Sequence, residues 1–264
     1  MRSLAQTPVI AQKFQSLEPP TYNPWQHKVS VWLEASAGLS LVDCYDAGTI
    51  PFKYKGWGFD ADLGTTIEWG RCHIEPKAQI VYATLNNLGG TVTDVNLSTE
   101  FLYHFSRINR MNFWAGGTLQ GFMDLKSIPV LMNAATSISL FGNLCATGLW
   151  EYDFAVNREK THSWLTAFCK LNLPLFGLAN RPSYSYIGNP TVNDGDLSYL
   201  KEQETFGKFF PGLGTELGLC LNLLNDNHIK LSYRWDYLTT GQKDANRFDH
   251  AIHAINLSFQ FRTN

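Results

Sequence analysis

Charge is scarce in this sequence and almost balanced. Lys and Arg number 21 against 23 Asp and Glu, together 17% of 264 residues, where an ordinary soluble domain carries about 25%. No Lys/Arg run occurs, which argues against nucleic acid as a partner, because phosphate recognition needs clustered cations. No apolar stretch reaches the ~18 residues of a membrane-crossing helix. The five cysteines, Cys44, Cys72, Cys145, Cys169 and Cys220, are scattered, with no CxxC. That spacing suits neither zinc nor iron–sulfur, an odd count leaves at least one free thiol, and the five read as small apolar side chains. The opening Met1-Arg2-Ser3-Leu4-Ala5-Gln6 lacks the apolar core of about 7–15 residues that a secretory leader needs. An exported form is therefore expected to begin here near its mature end or after an altered start. Gly89-Gly90 and Gly116-Gly117 carry no phosphate-loop pattern and fit turns or close packing. No cofactor is expected.

Aromatics are abundant, at 14% with 8 Trp, 11 Tyr and 17 Phe. Residues 1–27 are polar, contain Pro19, Pro20 and Pro24, and read as an N-terminal extension. From there a period of two takes over. In Lys28–Val42, the residues Val29, Val31, Leu33, Ala35, Ala37, Leu39 and Leu41 share one face, opposite Ser30, Trp32, Glu34, Ser36, Gly38 and Ser40. Trp57–Trp69 and Val95–Phe105 alternate in the same way, as do Gly212–Leu223, Ile229–Leu238 and Ile255–Arg262. Weaker runs fall at Ile74–Leu85, Phe113–Leu125, Ala135–Trp150 and Trp164–Leu175. Alternation of this kind marks strands. Connections between the runs alternate in length, with longer ones at 43–56, 86–94, 126–134, 176–211 and 239–254.

Runs this long, each with one nearly unbroken apolar face, need an apolar solvent on that face. A strand tilted across a bilayer needs about 9–11 residues, and hydrocarbon forbids an open sheet edge, so the sheet must close. Even strand number with short turns on one side and long loops on the other completes the pattern. The expected fold is all-β: residues 28–264 form a closed antiparallel transmembrane β-barrel of about ten strands, with eight or twelve also compatible. Its barrel ends lie on the short-turn, periplasmic side. Trp57, Trp69, Tyr103, Trp150, Trp164, Tyr233 and Trp235 sit near run ends, where interface girdles belong.

The carboxy-terminal stretches Gly212-Leu-Gly-Thr-Glu-Leu-Gly-Leu, Asn227-His-Ile-Lys-Leu-Ser-Tyr-Arg-Trp-Asp-Tyr and Asn256-Leu-Ser-Phe-Gln-Phe resemble Gram-negative outer-membrane β-barrel proteins, most of all barrels of the Bacteroidota. The resemblance covers roughly the last 55 residues, and the rest of the chain matches only by its strand rhythm. It departs at the end, where Phe261 is followed by Arg262-Thr263-Asn264. It implies an outer-membrane location and leaves the activity open.

On this register the inward face carries a mixed-sign charge network: Glu34, Glu100, Glu216, Lys230, Arg234, Asp236 and Arg262, with Asp60 and Asp62 among its further acids. Glu216 is expected opposite Arg234, because like charges opposite each other destabilise. Ten strands enclose little more than side chains, so a filled lumen is expected. Three chemistries compete with that bland reading. Asp60-x-Asp62 with His250, its neighbour Asp249 or His253 resembles the acidic pair and Asp/His pair at the rim of omptin proteases, and two carboxylates on one strand face can position a water. The omptin Asp-x-His spacing is not reproduced, and facing the lumen explains both Asp residues equally well. His162-Ser163 lacks the His-x-Ser order of outer-membrane phospholipase A, and no Gly-x-Ser-x-Gly elbow appears. His250 and His253 lack an evident third ligand, so no metal site is expected.

A non-enzymatic barrel is the expected function, serving as a structural or accessory subunit of an outer-membrane assembly. Its partners would be outer-membrane lipids and other outer-membrane or periplasmic proteins. A small-solute pore and a rim hydrolase are the alternatives. Tyr184, Tyr186 and Tyr199 in the long connection 177–205 are the candidate binding surface, since loop tyrosines often serve recognition.

Overall fold

The computed structural model describes residues 29–47, 50–86, 89–130, 136–154, 164–181, 204–208, 212–223, 225–240 and 247–263. The polar extension 1–27 and the tyrosines Tyr184, Tyr186 and Tyr199 lie outside them. The described chain is nearly all strand: β1 (Ser30–Asp46), β2 (Ile50–Trp69), β3 (Cys72–Leu85), β4 (Thr91–Ile108), β5 (Met111–Ser127), β6 (Thr136–Asp153), β7 (Leu165–Asn180), β8 (Glu204–Lys208), β9 (Gly212–Asn222), β10 (His228–Thr240) and β11 (Phe248–Arg262).

Neighbours in sequence pair antiparallel except β8 and β9, β1 pairs with β11, and β6 pairs with β7, so the sheet closes on itself. Both β8 and β9 pair with β7, over Gly177–Asn180 and Leu165–Asn172 respectively. They run in the same direction and make one interrupted stave. The result is a closed barrel of ten staves, with no free edge to expose unpaired backbone to hydrocarbon.

Strands are longer than the apolar alternation suggests. β1 continues to Asp46 and β2 begins at Ile50, so most of the connection expected over 43–56 is sheet. Likewise β11 begins at Phe248, inside the expected loop 239–254, and β7 runs to Asn180. The reason is visible on the outer face. Beyond Leu41 and Trp57 it turns polar, with an Asp43–Lys55 pair at 3.1 Å across the strands. The apolar period stops there, while the backbone ladder does not need it.

Outward positions form a continuous apolar belt. Leu39, Phe59, Leu63 and Leu119 are each more than 60% exposed. On a surface meeting water, so much contiguous apolar area would be a liability. Facing lipid, it is what holds the barrel in place. From Val31 to Leu41 the β1 outer face spans about 33 Å of strand, or about 25 Å after a tilt near 40°, the height of an outer-membrane belt. Trp69, Tyr103, Trp150 and Trp164 are exposed towards the end of the barrel with short turns, Trp57 towards the end with long loops, and Tyr233 near the middle of β10. The turn end includes Asn109 and Asp226, both at positive φ (56° and 59°), a backbone state these short polar residues tolerate.

Candidate functional site

Inside the barrel the side chains divide into two storeys. The storey nearer the turn end is ionic. Lys230 Nζ donates to Glu34 Oε2 at 3.0 Å, and Gln260 Nε2 donates to the same oxygen. Lys77 lies between three acids, Glu75, Glu34 and Asp62, at 3.4, 3.6 and 3.6 Å. Lys170 reaches Glu100 at 3.2 Å and Glu75 at 3.7 Å. Arg262, at the turn end, pairs with Asp226, and its backbone N–H donates to Asn227 Oδ1.

The register places Arg234 directly opposite Glu216, as the charge argument requires. The short contacts of its guanidinium lie elsewhere. Arg234 Nη2 donates to Asp60 Oδ2 at 2.7 Å, and Nε lies 2.8 Å from Asp236 Oδ2. Asp60 also accepts from Gln79 Nε2 at 3.0 Å and from Asn256 Nδ2 at 3.2 Å. That last bond crosses β1 at Gly38, which faces Asp60 on one side and Asn256 on the other. A β-carbon at Gly38 would lie 1.9 Å from Asn256 Oδ1, so the crossing needs glycine.

Two cavities meet in this storey and share Glu75, Lys77, Glu100, Lys170 and Glu216 as walls. One extends to Ser30, Trp32 and Arg262 at the turn end. The other extends towards Val81, Asp94 and His250 in the loop half. The expected filling of the lumen is therefore incomplete at mid-barrel.

The loop-half storey is packed. Val42, Cys44, Tyr54, Val81, Ala83, Leu85, Val92, Ile128 and Ile252 form one apolar cluster. Phe141, Ala179 and Phe248 form a second, with Phe122 and Leu238 against it. These side chains converge from every full-length strand except β9. Threaded through them is a buried ionic set. Lys126, 1% exposed, lies 2.7 Å from Asp124 and 3.6 Å from Asp46, and Arg181 lies 2.6 Å from Asp46. The Lys126 ammonium and the Arg181 guanidinium each sit within 5 Å of the Phe248 ring centroid, at 4.5 and 4.7 Å, a cation–π geometry.

Of the residues considered for hydrolysis, Asp60, Asp62 and His250 do not come together, and His162 and Ser163 lie outside the described residues. Asp60 and Asp62 are buried at mid-barrel, Asp60 hydrogen-bonded as described and Asp62 3.6 Å from Lys77, and neither lies at the rim. His250 is also buried, six positions along β11 from Asn256, the strand residue that contacts Asp60. Asp249 points away from it and is held by Thr239 and Arg247. His253 faces outward, its Nδ1 2.7 Å from the Tyr233 hydroxyl, and stacks on Trp235. The rim reading of Asp60, Asp62 and His250 is corrected accordingly: inward parity takes all three into the lumen, at different heights. All five cysteines are free, with Cys44 and Cys145 buried.

Sequence reasoning missed two groupings. His73, Glu75 and Glu100 bring one ligand atom each to within 4.8 Å of one another, and so do Asp94, Asp124 and His250. The signal available was parity, since each residue occupies an inward position of its strand. The distances across the lumen were not available.

No family model matches the chain, and no curated protein matches it. Among solved structures, the outer membrane protease OmpT from Escherichia coli matches with a TM-score of 0.53 at 8% identity, covering 93% of this chain and 99% of that one. Neisserial surface protein A matches at a TM-score of 0.35 and 8% identity, over 88% of this chain and 97% of that one. At such identities the likeness concerns the fold. The likeness to the protease barrel, taken with the closed sheet and the lipid-facing belt, gives this chain the fold of an outer-membrane β-barrel.

Proposed function

We propose that this chain is a non-enzymatic, non-conducting barrel that serves as a structural or accessory subunit of an outer-membrane complex, with its short turns on the periplasmic side. The observation that carries the proposal is the packed loop half of the lumen. A pore needs a continuous polar path, and here the path meets two apolar clusters and a buried ion network. A rim hydrolase needs carboxylates free to activate water at the surface. Asp60 instead accepts three hydrogen bonds at mid-barrel, and Asp62 faces Lys77. What remains for such a barrel is to anchor: its belt contacts membrane lipids, and its polar ends meet other outer-membrane or periplasmic proteins. Residues 1–27 and the connection 177–205 with Tyr184, Tyr186 and Tyr199 are the surfaces proposed for those contacts, on composition.

Extraction of native membranes in mild detergent, purification without heating and mass spectrometry test this. A stoichiometric outer-membrane or periplasmic protein is expected to co-purify. A barrel recovered alone from the membrane fraction would overturn the subunit reading.

A further inference from the structure

We infer that Asp94, Asp124 and His250 form a binding site for a divalent transition-metal cation, zinc in the first instance, buried at the boundary between the two storeys of the lumen. The argument starts from register. Asp94 on β4 and Asp124 on β5 are directly opposite one another, both inward, 2% and 0% exposed. Like charges placed opposite each other destabilise a sheet, and burial multiplies the penalty. A positive centre or a proton is needed between them.

The neighbouring cations do not reach Asp94 or the near oxygen of Asp124. Lys126 takes the Oδ1 oxygen of Asp124 at 2.7 Å, and it and Arg181 both face Asp46. Among the described residues, no Lys or Arg nitrogen comes within 4 Å of the Asp94 carboxylate; its ionic neighbour is His250. Both Asp94 oxygens, Asp124 Oδ2 and His250 Nε2 are buried and lack a hydrogen-bond partner among the described residues. An imidazole nitrogen and carboxylate oxygens, nearly sealed from water and aimed at one another without hydrogen-bond geometry, are what a ligand set looks like around a missing centre.

Distances agree with that reading. His250 Nε2 lies 3.2 Å from Asp94 Oδ2 and 3.4 Å from Asp124 Oδ2. For ligand bonds of about 2.0–2.1 Å, adjacent corners of a zinc tetrahedron lie about 3.3 Å apart. The wider surroundings also fit. Lys126 fixes the far oxygen of Asp124, as outer-shell partners fix ligating carboxylates. The His250 ring lies parallel to Phe248 with centroids 5.8 Å apart, and its orientation is held on another side by Phe122 at 5.3 Å. The mid-barrel cavity includes Asp94 and His250 in its wall, which gives an ion a way in and leaves space for water as a fourth ligand. The other grouping, His73 with Glu75 and Glu100, is a poorer cation site. Lys77 and Lys170 already neutralise its carboxylates at 3.2–3.7 Å.

The test uses the full chain, folded in detergent and stripped with a chelator, with zinc titrated by calorimetry and bound metal counted by mass spectrometry. About one zinc per chain is expected. His250→Gln and Asp94→Asn should each weaken binding by more than about 100-fold, beyond the range ascribed to outer-shell partners alone. Glu75→Gln, in the other grouping, should leave it unchanged. Should the two ligand variants fail to give the heat-modifiable migration of a folded barrel, cobalt added to the wild type decides. A tetrahedral ligand-field spectrum, bleached by zinc, supports the site, and its absence overturns it. A folded wild type that binds no zinc would also overturn the proposal, and would mean that a protonated His250 alone bridges the carboxylates. Zinc binding unchanged in both variants would overturn it as well.

Discussion

The two halves of the lumen are built from the same ten staves, with the same inward parity, and they solve opposite problems. In the turn half, charges stand beside cavities, and Lys77 and Lys170 are each shared among two or three acids at 3.2–3.7 Å. In the loop half, charges stand inside an apolar plug, with Lys126 2.7 Å from Asp124 and Arg181 2.6 Å from Asp46. The difference follows from desolvation. Beside a cavity, one lysine can be shared among several acids, so that no single partner carries the whole charge. Where water is excluded, each charge needs a close partner, and losing one partner strands the other.

That contrast predicts a graded set of effects on unfolding in detergent, followed by tryptophan fluorescence and heat-modifiable gel migration. The largest belongs to Lys126→Met, which strands Asp124 and weakens the neutralisation of Asp46. It should cost about 3–5 kcal/mol, the usual penalty for breaking a buried pair from one side. Phe248→Ala comes next: it empties the centre of the second apolar cluster and removes the ring that Lys126 and Arg181 approach. A loss of about 3 kcal/mol is expected, at the low end for such truncations because the cavity can admit water. Lys170→Met, the matching deletion in the turn half, should cost only about 1–2 kcal/mol, between the limits for buried and exposed pairs. If Lys170→Met proved as damaging as Lys126→Met, the two storeys would not differ in the way described. Lys55→Ala, on the outer surface where Lys55 is 59% exposed, should change stability by less than about 1 kcal/mol.

The sequence shows the belt and the closure better than it shows the plug. Where one face is apolar and the other polar, as in Val31 to Leu41, a period of two reads directly. In the loop half, inward residues are apolar too. Ile80-Val81-Tyr82-Ala83 points apolar groups at lipid with Ile80 and Tyr82 and at the plug with Val81 and Ala83. Phe122 and Phe141 do the same to β5 and β6. Alternation fades in those stretches because both sides of the strand face apolar surroundings. That is why the runs Ile74–Leu85, Phe113–Leu125 and Ala135–Trp150 are weak, and why Asp94, Lys126 and His250 fall in segments that read as loops. The Glu216–Arg234 register could be found because one tight turn joins their strands. The approach of His250 to Asp94 could not, because it spans the lumen between strands far apart in sequence.

Planar-bilayer recording of the folded wild-type barrel, with insertion confirmed independently, tests the closed loop half most directly. The packed storey predicts no stepwise conductance under moderate voltage. Steady, stepwise conductance from that protein would contradict it, because ions would then be passing through a region that the structure fills with Tyr54, Phe141 and Phe248.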